Sequence, residues 1–350
     1  MRGRGTPHNP PNRFTRVQSR PDPALDDLQY LEPEPLPETE FIPDHSKSVL
    51  SHNDSPDIGF DESLNPYRGC EHGCIYCYAR PMHEYLGFSA GLDFERKILV
   101  KENAPELLRR ELLKDSWTPQ PIALSGATDC YQPIERKLRI TRRCLQVLAE
   151  FRNPVTLTTK NRLVLRDMDI LKELARFEAV RVQLSISTLD AELARVLEPR
   201  TSPPAERLRT VAALNEAGVP TGVLVAPVIP GLSDEWVARV VDAAGGAGAR
   251  FVEYLLLRLP HGLPELFSQW LEEHFPERKN KVLRRLEAMR GGCLNENRYF
   301  LRFGGEGVFA DQIAQVFELA RKRAGIPERG PRLSTEHFRR PLPGQLTLWA

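Results

Sequence analysis

Three cysteines close together in the sequence constrain this chain more than any other feature. Cys70, Cys74 and Cys77 lie in the stretch NPYRGCEHGCIYCYARP with the spacing C-x-x-x-C-x-x-C. A disulfide would leave one of these thiols over, and closely spaced cysteines without an export signal are more often metal ligands or catalytic thiols. Structural zinc sites and ordinary iron–sulfur clusters take four protein ligands. Three thiolates therefore indicate a 4Fe-4S cluster with one iron left for a ligand from outside the protein.

A structural zinc site is the alternative for this stretch. It needs a fourth ligand, for which His72 or His83 is available, and it would make the chain a zinc-stabilised interaction module instead of an enzyme. The remaining cysteines, Cys130, Cys144 and Cys293, lie far apart in the sequence, which fits a reducing compartment.

Composition limits the class of protein. The chain has 350 residues, 41% of them hydrophobic and 27% charged, which suits a single barrel with extensions. A formal net charge of +1 gives no overall attraction to nucleic acid, so such binding would need a local basic face. No apolar run approaches the about 20 residues of a membrane span. The N-terminus has no apolar segment after its arginines. We expect a cytoplasmic protein that does not contact a membrane.

Short apolar runs alternate with amphipathic segments from residue 57 onward. The expected strands are residues 63–69, 121–125, 155–159, 180–187, 222–226 and 251–257. Their β-branched, nearly continuous apolar character is typical of strands buried on both faces of a parallel sheet. The first of them leads into the cysteines, and α/β barrels carry functional groups at the carboxyl ends of strands. The pattern predicts an α/β fold, a partial (β/α)6 TIM-like barrel, with a doubly wound open sheet as the alternative.

The chain ends differ in composition from this core. Residues 1–55 are rich in proline and charge, and we expect an extended or disordered tail with a short piece on the domain surface. The barrel and a charged helical capping segment occupy residues 57–305, and a C-terminal helix is expected within residues 306–328. Residues 329–350 are expected to form a flexible tail.

The cysteine stretch resembles the signature of the radical S-adenosylmethionine (SAM) superfamily, and residues 57–305 resemble the branch that includes spore photoproduct lyase. The resemblance implies that the amino and carboxylate groups of SAM bind the fourth iron. An electron from the reduced cluster, delivered by a partner such as flavodoxin or ferredoxin, then cleaves SAM to methionine and a 5′-deoxyadenosyl radical. The protein supplies ligation, orientation and exclusion of water. The expected reaction is lyase-like and acts on nucleic acid; a protein or small-molecule substrate is the alternative.

The resemblance also implies a set of residues that contact SAM. They are Tyr76, Ser125, Gly126, Lys160, Ser185, Ser187, Glu198, Arg200 and Ala226.

The resemblance implies a specific role for seven of these residues. Tyr76 and Ala226 would lie near the adenine, and the turn at Ser125 and Gly126 would accept the amino group. A cation at Lys160 would face the carboxylate, and strand-end hydroxyls would face the ribose.

Plainer interpretations stay open for several members of this set. Tyr76 would simply pack in the interior, and Glu198 and Arg200, in the run EPRTSP, would form a surface ion pair. Lys160 would be solvated, and Ser185 would serve a turn.

The chain departs from spore photoproduct lyase at one position. That enzyme has a cysteine, thought to return hydrogen to the product radical, where this chain has Gly126. The same lyase reaction is therefore in doubt. Cys130, which we expect near the barrel mouth, is a candidate replacement as hydrogen donor; the alternative is a small residue in a loop, since thiol reactivity depends on exposure and pKa.

The last residues carry a separate signal. Gln345, Leu346, Thr347, Leu348 and Trp349 resemble the peptide by which bacterial repair proteins bind the sliding clamp. A flexible tail that presents apolar residues to a hydrophobic pocket is a common recognition mode, so the bacterial sliding clamp is a candidate partner.

Overall fold

The computed structural model describes residues 3–15 and 38–341 of the chain. Ten strands lie in this part. They are β1 (Glu40–Pro43), β2 (Leu50–His52), β3 (Glu62–Leu64), β4 (Tyr67–Arg68), β5 (Lys97–Val100), β6 (Ile122–Leu124), β7 (Val155–Thr159), β8 (Val180–Ser185), β9 (Thr221–Val228) and β10 (Val252–Leu256).

Helices follow most of the strands. They are α1 (Leu92–Arg96), α2 (Ala104–Leu113), α3 (Glu135–Leu138), α4 (Ile140–Phe151), α5 (Met168–Ala175), α6 (Ala191–Leu197), α7 (Pro204–Glu216), α8 (Val237–Gly246), α9 (Leu263–His274), α10 (Pro276–Ala288) and α11 (Val308–Arg323). Short 3-10 helices span Arg80–Leu86, Arg162–Asp167 and Asp234–Trp236.

The order of the main sheet decides between the two expected architectures. Its seven strands run β10-β9-β8-β7-β6-β3-β2, and every pair from β3 to β10 is parallel. Each parallel strand therefore lies beside the next one in the chain, without the reversal of strand order that defines a doubly wound sheet. The antiparallel strand β2 covers the β3 edge. The fold is the predicted partial (β/α)6 barrel.

The first predicted strand differs from the expectation because it is split in two. β3 pairs with β6 in the main sheet, whereas β4 pairs with β5 in a separate sheet of order β1-β5-β4. Pro66, which has no N–H to donate to a ladder, lies between the two pieces. The Asn65 side chain accepts hydrogen bonds from the backbone N–H groups of Ala127 and Thr128 at 2.9 and 3.3 Å. The cysteines thus leave from the small sheet, beside the barrel edge.

The N-terminal segment is more ordered than predicted. Residues 3–15 form no helix or strand, as expected of an extended tail, but they are packed against the protein: Arg4 and Thr6 are buried. The backbone N–H of Leu92 donates to the carbonyl of His8 at 2.9 Å. Strands β1 and β2 also fall within residues 1–55. A boundary near residue 55 therefore does not separate a tail from the folded part.

The C-terminal helix α11 packs on the barrel where it was predicted. The ring of its Phe317 lies 4.7 Å from that of Tyr254 on β10, and Ile313 joins the main hydrophobic core. Beyond it, the N–H of Arg339 donates to the carbonyl of Phe151 at 2.9 Å, so residues up to 341 follow the barrel surface. The predicted clamp peptide, Gln345–Trp349, lies outside the described residues. In the part described, no helix is long and apolar enough to span a membrane.

A substitution at Gly222 tests how closely the barrel is packed. A Cβ at this position of β9 would lie 2.4 Å from the backbone oxygen of Phe251 and 2.6 Å from its ring. We expect Gly222→Ala to lower the free energy of unfolding by about 1–3 kcal/mol, because neither backbone nor core ring moves freely. Gly246→Ala is the control, because a methyl group added at this position of α8 would meet open space.

Chemical denaturation measures both variants. Gly246→Ala should be neutral or gain up to about 1 kcal/mol from helix propensity. Equal stability of the two variants would contradict the packing described for β9.

Candidate functional site

The three cysteines lie on a tightly folded loop that follows β4. Gly69 and Gly73 bend it with φ of 80° and 68°, values that favour glycine. The N–H of Cys70 donates to the carbonyl of Phe94 at 2.9 Å, and that of Cys77 donates to the carbonyl of Cys74 at 3.2 Å. Cys70 and Cys74 are buried and Cys77 is half-buried. These backbone contacts thus fix the course of the loop that carries the three thiols.

The three thiols are not grouped around a single metal position. Within residues 3–15 and 38–341, no three His, Cys, Asp or Glu side chains are grouped closely enough to hold one metal ion. In an iron–sulfur cluster, by contrast, each cysteine binds its own iron. Burial raises the pKa of Cys70, with the charges of Asp129, Cys74 and Cys77 adding to the rise. Metal binding would therefore release protons from this loop.

The two candidate zinc ligands differ in their contacts. His72 Nδ1 lies 3.3 Å from Asp129 Oδ2, and its Nε2 lies 3.3 Å from the Asn161 amide nitrogen. The buried ring of His83 packs edge-on against Phe94, with 5.5 Å between ring centroids, but its Nε2 has no hydrogen-bond partner among the described residues. Burial lowers the pKa of His83 to about 4. The contacts of His72 disfavour it as a zinc ligand, and in the described part of the chain no group of three metal-ligating side chains includes His83.

A buried ion pair between Arg80 and Glu95 supports the cysteine loop. The Arg80 guanidinium and the Glu95 carboxylate are both fully buried and lie 2.5 Å apart. Arg80 also donates to the carbonyls of Cys74 at 2.9 Å, Gly73 at 3.3 Å and Gly91 at 2.9 Å. The arginine therefore satisfies the carbonyl groups that the turn leaves without helix or strand partners.

The N-terminal segment also binds the Glu95 carboxylate. Glu95 accepts the N–H groups of Gly5 at 2.9 Å and Thr6 at 3.2 Å, and Arg4 donates to its carbonyl at 2.7 Å. A Cβ on Gly5 would lie 1.9 Å from the carbonyl oxygen of Gly73. The sequence did not predict this contact. The only signal was glycine in a charged segment, and nothing local indicated a partner 90 residues away.

A second buried ion pair, between Glu198 and Arg207, lies next to the Tyr76 hydroxyl. The Tyr76 hydroxyl donates to Glu198, and Arg207 Nη2 lies 2.5 Å from Glu198 Oε2. Burial alone would raise the pKa of Glu198, but the charges of Arg207 and Lys160 hold it below its usual value. Lys160 Nζ lies 6.0 Å from the centre of the Tyr76 ring. Glu198 therefore does not form the surface pair with Arg200 that was the alternative, and its partner Arg207 was missed.

Arg200 lies on the cysteine-loop side. The Arg200 guanidinium is 3.6 Å from the Glu71 carboxylate, and the backbone N–H of Arg200 donates to the carbonyl of His72 at 3.3 Å. Arg200 and Glu198 are thus neighbours in the sequence that serve different parts of the site.

Asp129 connects the cysteine loop with Lys160, a role that the sequence did not reveal. It receives the N–H of Lys160 at 2.7 Å and the Thr159 hydroxyl at 2.8 Å, besides its contact with His72. Burial would raise the pKa of Asp129, but the charge and hydrogen bond of His72, with two backbone N–H groups, lower it to about 2.

The predicted serines differ in their freedom to bind a ligand. Ser185 Oγ donates to the carbonyl of Ala226 at 3.0 Å, which joins the ends of β8 and β9. Ser187 Oγ is buried and has no hydrogen-bond partner among the described residues. Buried hydroxyls without partners are uncommon, so Ser187 is the better candidate to contact a ligand.

The predicted turn after β6 is formed. Ser125 has a φ of 80°, and its hydroxyl donates to the carbonyl of Thr128 at 2.6 Å and accepts the N–H of Cys130 at 2.8 Å. The carbonyl of Gly126 accepts the Tyr78 hydroxyl. The Ser125 hydroxyl therefore holds the turn itself.

Cys130 is less accessible than a hydrogen donor at the barrel mouth would need to be. Its side chain is fully buried in the main hydrophobic core, and burial raises the pKa of its thiol well above the usual value. The correction follows from the Ser125 turn, which directs the chain inward at Cys130. The geometry favours packing over hydrogen donation for this residue.

The Arg80–Glu95 pair yields a prediction. Glu95→Gln leaves the Arg80 charge buried without a counter-charge, and we expect it to lower the free energy of unfolding by about 3–5 kcal/mol. Glu111→Gln, which removes an exposed partner of Lys114 at 2.7 Å, should change it by less than about 1 kcal/mol.

Anaerobic urea unfolding of the metal-free protein compares the two variants. Equal effects would show that the buried pair does not hold the loop.

Comparisons with known proteins identify the family. A sequence model of the radical SAM superfamily matches residues 64–244, just over half of the chain. An uncharacterized protein of Mycobacterium tuberculosis is 37% identical over 222 residues, 63% of this chain and 65% of that protein. The chain thus covers just under two thirds of that relative. An uncharacterized protein of Methanocaldococcus jannaschii is 30% identical over 215 residues, 61% of this chain and 76% of that protein.

Solved structures show the same fold. Spore photoproduct lyase complexed with dinucleoside spore photoproduct matches with a TM-score of 0.56 at 15% identity, covering 81% of this chain and 79% of that one. A mutant of that lyase with bound AdoMet and the same dinucleoside gives 0.55 at 16% identity, covering 81% and 78%. At these identities the likeness concerns the fold alone. With the family match and the cysteine loop at the barrel edge, the conclusion is that the chain belongs to the radical SAM superfamily.

Proposed function

We propose that the chain is a radical SAM enzyme that holds a 4Fe-4S cluster on Cys70, Cys74 and Cys77. The observation that carries this proposal is the cysteine loop itself, which follows β4 and presents three buried or half-buried thiols in the spacing C-x-x-x-C-x-x-C. Such a cluster, once reduced, supplies the electron that splits SAM into methionine and a 5′-deoxyadenosyl radical, which takes hydrogen from a substrate.

The chain's own residues would position SAM beside the loop. Lys160, whose backbone is anchored on Asp129, offers a cation for the SAM carboxylate. The unpartnered hydroxyl of Ser187 offers a hydrogen bond to the ribose. Tyr76 is held by Glu198 as a fixed wall, and Ala226 leaves room for the adenine. The buried ion pair of Glu198 and Arg207 would hold the Tyr76 side chain in place and keep water away from it.

Nucleic acid is the substrate class we propose, with a lyase-like reaction. It is supported by the fold shared with spore photoproduct lyase, whose solved complex contains a dinucleoside. Gly126, which replaces that enzyme's cysteine, argues for a different last step. A protein or small molecule is the alternative substrate. We propose a flavodoxin or ferredoxin as the reductant and the cytoplasm as the compartment. The bacterial sliding clamp would be a further partner, bound through residues 345–349.

Cysteine variants test the cluster. We expect anaerobically reconstituted wild type to bind iron and sulfide and, when reduced, to convert SAM to 5′-deoxyadenosine. Cys70→Ala, Cys74→Ala and Cys77→Ala should each lose the cluster and this activity, because each thiol binds its own iron. Cys293→Ala, which alters an exposed cysteine outside the site, is the control and should retain both.

Iron content and chromatography of the products check this prediction. Wild-type protein that binds one zinc ion would contradict the prediction. So would cysteine variants that still bind iron.

Isotope transfer tests the substrate. The reduced enzyme is incubated with unlabelled SAM and with deuterated DNA and RNA, each ultraviolet-damaged and undamaged. Hydrogen abstraction moves one atom from the substrate to the 5′ carbon, so we expect deuterium from one nucleic acid in 5′-deoxyadenosine or in SAM re-formed from it, detected by mass spectrometry. SAM cleavage without deuterium in either product, across all four, would favour the protein or small-molecule alternative.

A further inference from the structure

Arg258 lies at the edge of the barrel where the functional groups gather. It follows β10, the sixth parallel strand, by two residues, so it lies at the same carboxyl edge as Ser187 and Ala226. Arg258 therefore lies at the same edge of the barrel as the residues proposed to contact SAM.

The Arg258 guanidinium has no ion-pair partner among the described residues, and its Nε is buried without a hydrogen-bond partner there. Asp57 acts on its charge only from a distance, because its carboxylate is paired with Arg302. The guanidinium carbon lies 5.1 Å from the centre of the Phe303 ring, which holds the group in place. Half-buried arginines usually have hydrogen-bond partners, so Arg258 has capacity to bind a ligand.

The surroundings of Arg258 are cationic. Arg302 lies over the same ring at 4.8 Å, but it forms an ion pair with Asp57. Arg290 is buried and donates to the carbonyls of Leu257 at 2.5 Å and Arg302 at 3.3 Å. Burial lowers the pKa of Arg258, with the charge of Arg302 adding to this effect. In the described part of the chain, Asp57 alone forms an ion pair with any of these three arginines, so an anion is the missing group.

The adjacent surface suits a nucleic acid strand. Tyr299 and Phe300 are exposed, at 50% and 69%, in the loop that carries Phe303. Exposed aromatic rings beside cationic side chains suit single-stranded nucleic acid, because bases stack on the rings while the cations contact the backbone. A guanidinium fork also matches the oxygens of a phosphate better than an ammonium does.

We propose that Arg258 binds a backbone phosphate of a single-stranded or flipped-out segment of the nucleic acid substrate, beside the radical-generating site. This inference rests on the proposed function and adds to it the residue that positions the substrate. SAM needs no help from Arg258, because Lys160 is available for its carboxylate.

The test is the affinity of reconstituted protein for a short fluorescein-labelled single-stranded oligonucleotide, measured by anisotropy over a range of salt concentrations. We expect Arg258→Gln to weaken binding roughly tenfold, as loss of one charged hydrogen-bonded contact does. The slope of log affinity against log salt should fall in magnitude by about 0.7, the value for one phosphate contact. Arg258→Lys should keep most of the slope while losing part of the affinity.

Arg239→Gln is the matched control. Arg239 is an exposed arginine that also stacks on an aromatic ring, 5.2 Å from the centre of Trp236, but it lies on α8 outside the barrel. It should leave affinity and slope unchanged. SAM cleavage without oligonucleotide should be the same in every variant, which also reports that each is folded and carries its cluster.

The other outcomes separate the two proposals. If wild type binds the oligonucleotide and Arg258→Gln binds with the same affinity and slope, the Arg258 inference is wrong and the nucleic acid proposal stands. If Arg258→Gln instead raises the KM for SAM, Arg258 contacts SAM and the inference is also wrong. If wild type binds no DNA or RNA, the proposed substrate class fails and the inference with it, while SAM cleavage still reports on the enzyme.

Discussion

The buried ion pair between Arg80 and Glu95 is the interaction on which the site depends. Arg80 holds the carbonyls of the cysteine loop, and Glu95 holds the backbone of the N-terminal segment. Either charge alone in this place would be strongly unfavourable, so the two halves form together or not at all. The loop that presents the thiols, and the segment that covers it, are thus parts of one folded unit.

Charge also organises the opposite wall of the site. Glu198 is shared by the Tyr76 hydroxyl and Arg207, and Asp129 is shared by His72 and the backbone of Lys160. These acids pair with fixed partners, whereas the Ser187 hydroxyl and the Arg258 Nε have no hydrogen-bond partner among the described residues. We therefore assign the acids to holding the structure, and propose Lys160, Ser187 and Arg258 as the groups that bind ligands.

The sequence predicted the barrel because strand identity depends on local apolar runs, such as residues 155–159, which form β7 as expected. The cysteine loop was evident for the same reason, since its ligands are close in sequence. Arg207, Asp129 and Gly5 were not predicted, because their roles arise from partners that only the folded chain brings near. The burial of Cys130 was not predicted, because the direction of a turn residue cannot be read from its spacing. The split of the first strand at Pro66 was not predicted either, because the apolar pattern of residues 63–69 does not show which sheet each half joins.

The central claim is that SAM completes a cluster that the protein leaves one ligand short. Electron paramagnetic resonance of the anaerobically reconstituted, reduced protein tests it directly. The account predicts a reduced 4Fe-4S signal whose shape and g values change when SAM is added, because SAM binds the iron that no cysteine holds. A cluster signal that SAM leaves unchanged would contradict the account.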